Sequence, residues 1–177
     1  MLDVVLIMGG PCSGKTTLVK KTKELIGKDW ESFVFDNICG EFLRVGSKTI
    51  YTLGKFDYSQ PYPGTDRLPL NALPTILKFC EKLAQESRDN LLFTEGDRVT
   101  NRPFIMSTKP MLFYLSITKE KALLRLQKRG DKMAEKSFKC HFTKAERLAD
   151  EFFAEKIPAE GIYLDRLPSF FLEIITR

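Results

Sequence analysis

The sequence predicts an α/β fold of three layers, a mainly parallel central sheet of about five strands flanked by helices. Three observations lead there. Short apolar runs alternate with stretches of helical spacing, the pattern that buries a parallel sheet between helices. The first run, Leu2–Met8, is apolar at every position except Asp3, as expected of a strand covered on both faces. A glycine-rich turn then separates this run from a segment with one apolar face.

The elements follow in order. A helix is expected from about Lys15 to Ile26, and Ser32–Phe35 reads as a second strand ending at Asp36. Leu73, Ile76, Leu77, Cys80, Leu83 and Ala84 recur at helical spacing; Asn71 is the expected cap, and Pro74 falls in the first turn, where proline is tolerated. Asn90–Thr94 and Met111–Ile117 read as the third and fourth strands. Lys119–Arg129 reads as a helix stopped by Gly130. Thr143 and Glu146 have capping-box spacing for a helix to about Lys156, ended by Pro158. Gly161–Leu164 reads as the last strand, and Phe170–Ile175 as a short terminal element of either type.

The chain has 177 residues, 43% hydrophobic and 29% charged, which fits one globular domain over 1–177 and excludes a disordered chain. Apolar runs such as Val4–Met8 and Met111–Leu115 are far too short to span a bilayer. No basic leader or cleavage site follows Met1, so a cytoplasmic protein without a membrane partner is expected. The four cysteines, Cys12, Cys39, Cys80 and Cys140, are scattered and read as free thiols. Cys140 and His141 are adjacent, but two residues do not make a zinc site. A net charge of +5 and a pI near 9.0 suit an anionic partner, either nucleotide or polynucleotide.

Gly9-Gly10-Pro11-Cys12-Ser13-Gly14-Lys15-Thr16 satisfies G-x-x-x-x-G-K-[ST], the P-loop. Its glycines let successive backbone N–H groups point at phosphate oxygens, and the following helix adds its positive end. Gly10, Pro11, Cys12, Ser13, Gly14, Lys15, Thr16 and Thr17 are therefore the expected nucleotide-binding residues. Lys15 reaches the β- and γ-phosphates, and the Thr16 hydroxyl ligates Mg²⁺. The glycine spacing does not give the dinucleotide pattern G-x-G-x-x-G.

The GTPase element N-K-x-D is absent, and motor ATPases usually need a longer chain. A small kinase with ATP as donor remains, its acceptor site lying over the carboxyl edge of the sheet. Asp36, about twenty residues beyond Lys15, stands where P-loop kinases that act on alcohols place a proton acceptor; the alternative is a cap for the turn at Asn37–Gly40. The same order of P-loop, helix, strand and aspartate resembles the kinase half of polynucleotide kinases. Glu95, Asp97 and Arg98 follow the third strand as a Walker-B-like end. Either Glu95 or Asp97 can face Mg²⁺, with Glu95 the candidate taken, partly through water; Asp97 and Arg98 are candidates for the acceptor, and Arg98 also for phosphate. Arg125 and Arg129, four apart on one helix face, are candidate catalytic arginines of a short lid at about 125–142. The alternative is a solvated basic face favoured by the helix dipole.

The segment at about 45–70 is the candidate acceptor-binding insertion. It interleaves Tyr51, Phe56, Tyr58 and Tyr62 with Lys48, Lys55 and Arg67, and Pro63-Gly64 turns the chain toward Asp66 and Arg67. Such aromatics stack a base, or else merely pack a β-hairpin onto the body. Leu53-Gly54-Lys55-Phe56, Tyr62-Pro63-Gly64-Thr65-Asp66-Arg67-Leu68 and Glu95-Gly96-Asp97-Arg98 behind a P-loop together resemble the phage 5-hydroxymethyluracil DNA kinases. The resemblance covers roughly the first hundred residues, and Gly-Thr-Asp-Arg-Leu is its distinctive stretch. It implies transfer from ATP to the hydroxymethyl group of a modified pyrimidine in DNA, on the route to hypermodified bases, inside an infected host's cytoplasm. Asp36 is then the proton acceptor, with Asp66 a rival, and Tyr51 and Lys55 contact the extruded base and its backbone. A kinase of a free nucleoside, nucleotide or other small alcohol is the alternative, and a non-catalytic nucleotide-binding module a third reading.

Overall fold

A computed structural model describes residues 2–56, 64–86, 88–130, 135–159 and 162–176. Among them, seven strands form one sheet in the order β2-β3-β4-β5-β1-β6-β7. The strands are β1 (Leu2–Met8), β2 (Glu31–Phe35), β3 (Ile38–Val45), β4 (Lys48–Leu53), β5 (Asp89–Glu95), β6 (Met111–Ser116) and β7 (Glu155–Pro158). The helices are α1 (Lys15–Ile26), α2 (Leu73–Gln85), α3 (Arg102–Thr108), α4 (Lys119–Lys128), α5 (Glu135–Glu151) and α6 (Ile162–Thr176). Strands β4, β5, β1, β6 and β7 run parallel, whereas β2–β3–β4 is an antiparallel meander.

Alternation along β1 builds the three layers. Val5 and Ile7 face one core with α1, α4 and α6, where Leu18, Leu126 and Phe171 pack. Val4, Leu6 and Met8 face the other with α2 and α3, against Ile76, Phe79 and Phe104. Helix α5 straddles both: Phe138 and Phe142 join the first core, Ala145 and Ala149 the second. No helix among the described residues is long and apolar enough to cross a membrane.

Several expectations are corrected. The sheet has seven strands rather than five, because the stretch after Asp36 pairs back on β2 as β3 and β4. Asp36 itself occupies the two-residue β2–β3 turn with φ 49°, which an Asp tolerates. Thr143 lies inside α5 rather than capping a helix, since Phe138, Phe142 and Ala145 keep one apolar face across that position. The last strand is β7 at Glu155–Pro158, paired with β6, and residues 162–176 are helical. Helix α2 is capped by Ala72 without a side-chain bond, so Asn71 is not its cap. Helix α3, not anticipated, is capped by the Asn101 side chain, which accepts the Phe104 N–H.

Candidate active site

The P-loop leaves the carboxyl end of β1 between its two parallel neighbours, β5 and β6, the crevice where open α/β sheets bind ligands. Its curl shows in the backbone: Cys12 and Gly14 have φ of 59° and 97°, and the Ser13 N–H donates to Gly10 O at 3.3 Å. A Cβ on Gly10 would stand 2.4 Å from the Phe142 ring, so α5 presses directly on the loop and only glycine fits. Lys15 Nζ donates to Gly10 O at 2.9 Å and lies 3.4 Å from Ser13 Oγ. Burial pulls the Lys15 ammonium below the ordinary lysine range, against the opposing charges of Glu95 and Asp66.

Glu95, at the end of β5, is 3% exposed. Burial pushes its carboxyl up to about 7; Asp66 adds to the rise, while Lys15, the Thr65 N–H and the Thr16 hydroxyl oppose it. A Thr16 hydroxyl that donates to Glu95 turns its lone pairs outward, toward a cation. Hard oxygen donors of this kind fit Mg²⁺, which keeps waters and phosphate oxygens as its other ligands. Among the described residues, no group of three or more acidic, His or Cys side chains could by itself hold a metal ion.

Two clefts flank the loop. One, of about 350 Å³, is lined by Lys15, Thr16, Asp66, Glu95, Asp97 and Arg98, with His141 across from them on α5. The other, of about 470 Å³, lies beside Cys12, Thr17 and Lys21 and is closed by Arg125, Lys128 and Arg129 of the α4 end. The first brings together all the carboxylates predicted for the site except Asp36. A short 3-10 turn, Thr65–Arg67, carries Asp66 there. Glycines permit the approach: a Cβ on Gly64 would sit 2.4 Å from Glu95 Oε1, and one on Gly96 2.0 Å from Thr65 Oγ1.

Not every predicted residue reaches the site. Asp36 is exposed at the sheet's outer strand, four strands from β1, roughly 19 Å away at about 4.8 Å per strand. It is therefore not placed to take a proton at the cradle. Tyr51 packs among Phe33, Phe42 and Phe79, with ring centroids 5.6 to 5.8 Å away, so it belongs to the core rather than to a base stack. Lys55 is exposed, and its backbone pairs with Gly64. Arg67 is half-buried and does not line the cleft. Arg125 donates to Cys12 O and Ala159 O, each at 3.2 Å, and Arg129 reaches Cys12 Sγ at 3.7 Å. Both arginines thus stand on the loop's far side from Glu95. Tyr58, Tyr62, Pro63 and residues 131–134 of the expected lid lie outside the described residues; residues 135–142 form the first half of α5.

Two residues of the cleft, His141 and Thr100, and Lys144 behind Asp97 were not anticipated. His141 Nδ1 lies 3.4 Å and Lys144 Nζ 2.8 Å from Asp97 Oδ1, and Thr100 donates to Gly96 O at 2.8 Å. Burial alone would raise the Asp97 carboxyl, but the Lys144 hydrogen bond and charge, with His141, hold it below its ordinary range. The i, i+3 spacing of His141 and Lys144 was the available signal; expecting a helix boundary at Thr143 hid it.

No protein-family model matches the sequence, and no curated protein matches it. In structure the chain is similar to shikimate kinase from Acinetobacter baumannii in complex with shikimate, at 14% identity and a TM-score of 0.52, over 99% of this chain and 94% of that one. Shikimate kinase from Aquifex aeolicus gives 14% identity and a TM-score of 0.49, over 97% and 95%. At this identity the likeness with the first establishes the fold, an α/β sandwich with a mostly parallel sheet flanked by helices.

Proposed function

We propose that the protein is a kinase that transfers the γ-phosphoryl group of ATP to the hydroxyl of a small alcohol. The observation that carries this reading is the meeting of Lys15, Thr16 and Glu95 with Asp66 around one cleft of about 350 Å³. Its size suits one small ring or short chain. The similar solved structure is a kinase holding shikimate, itself a small alcohol.

In the reaction, the loop amides and Lys15 hold the β- and γ-phosphates and neutralise charge as it shifts to the leaving oxygen. Thr16, with Glu95 behind it, would hold Mg²⁺, which would supply Lewis-acid neutralisation of the phosphate charge. The acceptor oxygen bonds to phosphorus as the bond to ADP breaks, and its proton passes to a carboxylate. Asp66 is that carboxylate: it is exposed on the cleft wall, whereas Glu95 is committed to Thr16 and Asp97 to Lys144. Arg98, its Nε anchored on Leu68 O at 3.3 Å, orients the acceptor. Arg125 and Arg129 border the nucleoside side.

The finer reading, a hydroxymethylated base in DNA, has less support. No Phe, Tyr or Trp among the described residues lines the cleft, and Tyr51 is occupied in the core. Labelled ATP with Mg²⁺, offered shikimate, free nucleosides and nucleotides, and DNA carrying 5-hydroxymethyluracil, decides between them. Label in a free alcohol is expected. Label in DNA alone overturns the small-acceptor reading, and ATP binding without transfer to any acceptor points to a binding module. Lys15→Ala is expected to lower transfer by about a thousandfold or more with the fold intact. Asp66→Asn is expected to cost about two to four orders of magnitude in kcat, and a near-native rate would move the proton to Asp97.

A further inference from the structure

We infer that Lys23 and Glu41 are positioning residues that tie the Gly64–Asp66 segment to the P-loop helix through the Phe56 amide. The inference rests on the kinase reading above for its consequence, but its geometry stands apart from it. Lys23 lies two turns beyond Lys15 on α1, about 12 Å along the axis, too far to serve the phosphates. Even so, its side chain is only 7% exposed. Nζ sits 4.3 Å from the Trp30 ring centroid, 4.9 Å from that of Phe56, and 2.6 Å from Glu41 Oε2. The Trp30 indole N–H donates to Gly27 O at 3.0 Å, which fixes one wall of this box against the end of α1.

A buried ion pair adds little net stability over an apolar one of the same shape. Stability therefore gives no reason for this pair, but position does. Glu41 Oε2 also accepts the Phe56 N–H at 3.2 Å. The Phe56 ring also lies beside Gly64, where a Cβ would be 3.3 Å from Phe56 Cε1. The Gly64 N–H donates to Lys55 O at 2.7 Å, the Thr65 N–H to Glu95, and Asp66 comes next. One carboxylate of the antiparallel extension thus fixes the point from which the Asp66 turn is hung. Lys23 holds that carboxylate in place, and the Trp30 and Phe56 rings cover the Lys23 ammonium.

The test compares Glu41→Ala, Glu41→Gln and Lys23→Met. Amide exchange at Phe56, Gly64 and Thr65 is expected to quicken about tenfold or more in Glu41→Ala, the worth of one hydrogen bond to a charged group, while the α1 amides keep their protection. Glu41→Gln, whose amide oxygen still accepts the Phe56 N–H, is expected to recover most of that protection. In kinetics with the acceptor that the labelling assay finds, Glu41→Ala is expected to raise KM for the acceptor about tenfold and to leave KM for ATP within about twofold. Equal effects of Ala and Gln, or acceptor and ATP KM rising together, overturn the inference. If Glu41→Ala does not fold, Lys23→Met, expected to loosen the same three amides, carries the test, and unchanged protection in it overturns the inference. A wild-type protein that phosphorylates nothing refutes the kinase reading alone, because the exchange measurement still decides the linkage.

Discussion

Replacing Glu95 with glutamine changes how stability depends on pH, and the size of the change follows from the site. Burial raises the Glu95 carboxyl from an ordinary 4.5 to about 7. A group that binds its proton more tightly when folded favours folding fully below the unfolded value, and that contribution is lost as pH rises through the folded one. The difference of 7 − 4.5 is 2.5 units, or about 3 kcal/mol at 1.36 kcal/mol per unit. Between pH 4.5 and pH 8 the nucleotide-free wild type should therefore lose about 3 kcal/mol relative to Glu95→Gln, which has nothing to ionise there. Urea unfolding of both proteins at half-unit pH steps measures it, and groups common to the two cancel in the difference. A flat difference across this range would refute the claim that Glu95 is buried at a cost to its charged form. The same variant should lose at least about a hundredfold in transfer, since glutamine supports a cation poorly. The cost of the ionised carboxylate in the free protein is what a bound divalent cation would offset.

Three further outcomes test the geometry. Gly96→Ala places a Cβ 2.0 Å from Thr65 Oγ1 at a φ of 99°, so a loss of about 2 to 4 kcal/mol is expected in denaturant titration. Phe153→Gly should stabilise by about 0.5 to 1 kcal/mol: Phe153 is 94% exposed at φ 53°, ending α5 where the Ala154 N–H donates to Ala149 O at 2.9 Å. Lys144→Met removes the partner that holds the Asp97 carboxyl low, and the stability that Asp97 gives above its ordinary value of 3.8 is lost as pH falls. The acid limb of unfolding then moves to higher pH, at a cost of about 1 kcal/mol or less at neutral pH because the pair is partly exposed.

The legible parts of the sequence were those where local chemistry and global fold agree. Leu2–Met8 and Gly9–Thr16 carry strand, loop and helix start in adjacent residues, and β1, the P-loop and α1 fall where the pattern puts them. Glu95, Asp97 and Arg98 were legible for the same reason, being fixed to the end of an apolar strand. Asp36 misled because position along the chain stood in for position in the sheet. Counting strands from Lys15 makes Ser32–Phe35 the second parallel strand, but that place belongs to β4. The meander was hidden by Glu41, Arg44 and Lys48, polar residues that break the apolar run a parallel strand shows. Tyr51 looked like a ligand contact because the aromatic core of that half, Phe33 with Phe79, comes from elements apart in sequence.

The meander also bears on how the chain reaches its fold. Each parallel pair in the sheet waits for a distant segment: β1 meets β5 only after about eighty intervening residues have been brought round. Strands β2, β3 and β4 need no such search, since the two-residue turns at Asp36-Asn37 and Gly46-Ser47 join them in register. Hairpins close in microseconds, and long loops cost more entropy. We therefore expect the extension to be structured in the folding transition state, presenting β4 as a ready edge for β5. Substitutions at the buried Ile38 or Ile50, which slow folding or speed unfolding, can be read as φ-values; values near zero there, with high ones in β6, would reverse this order.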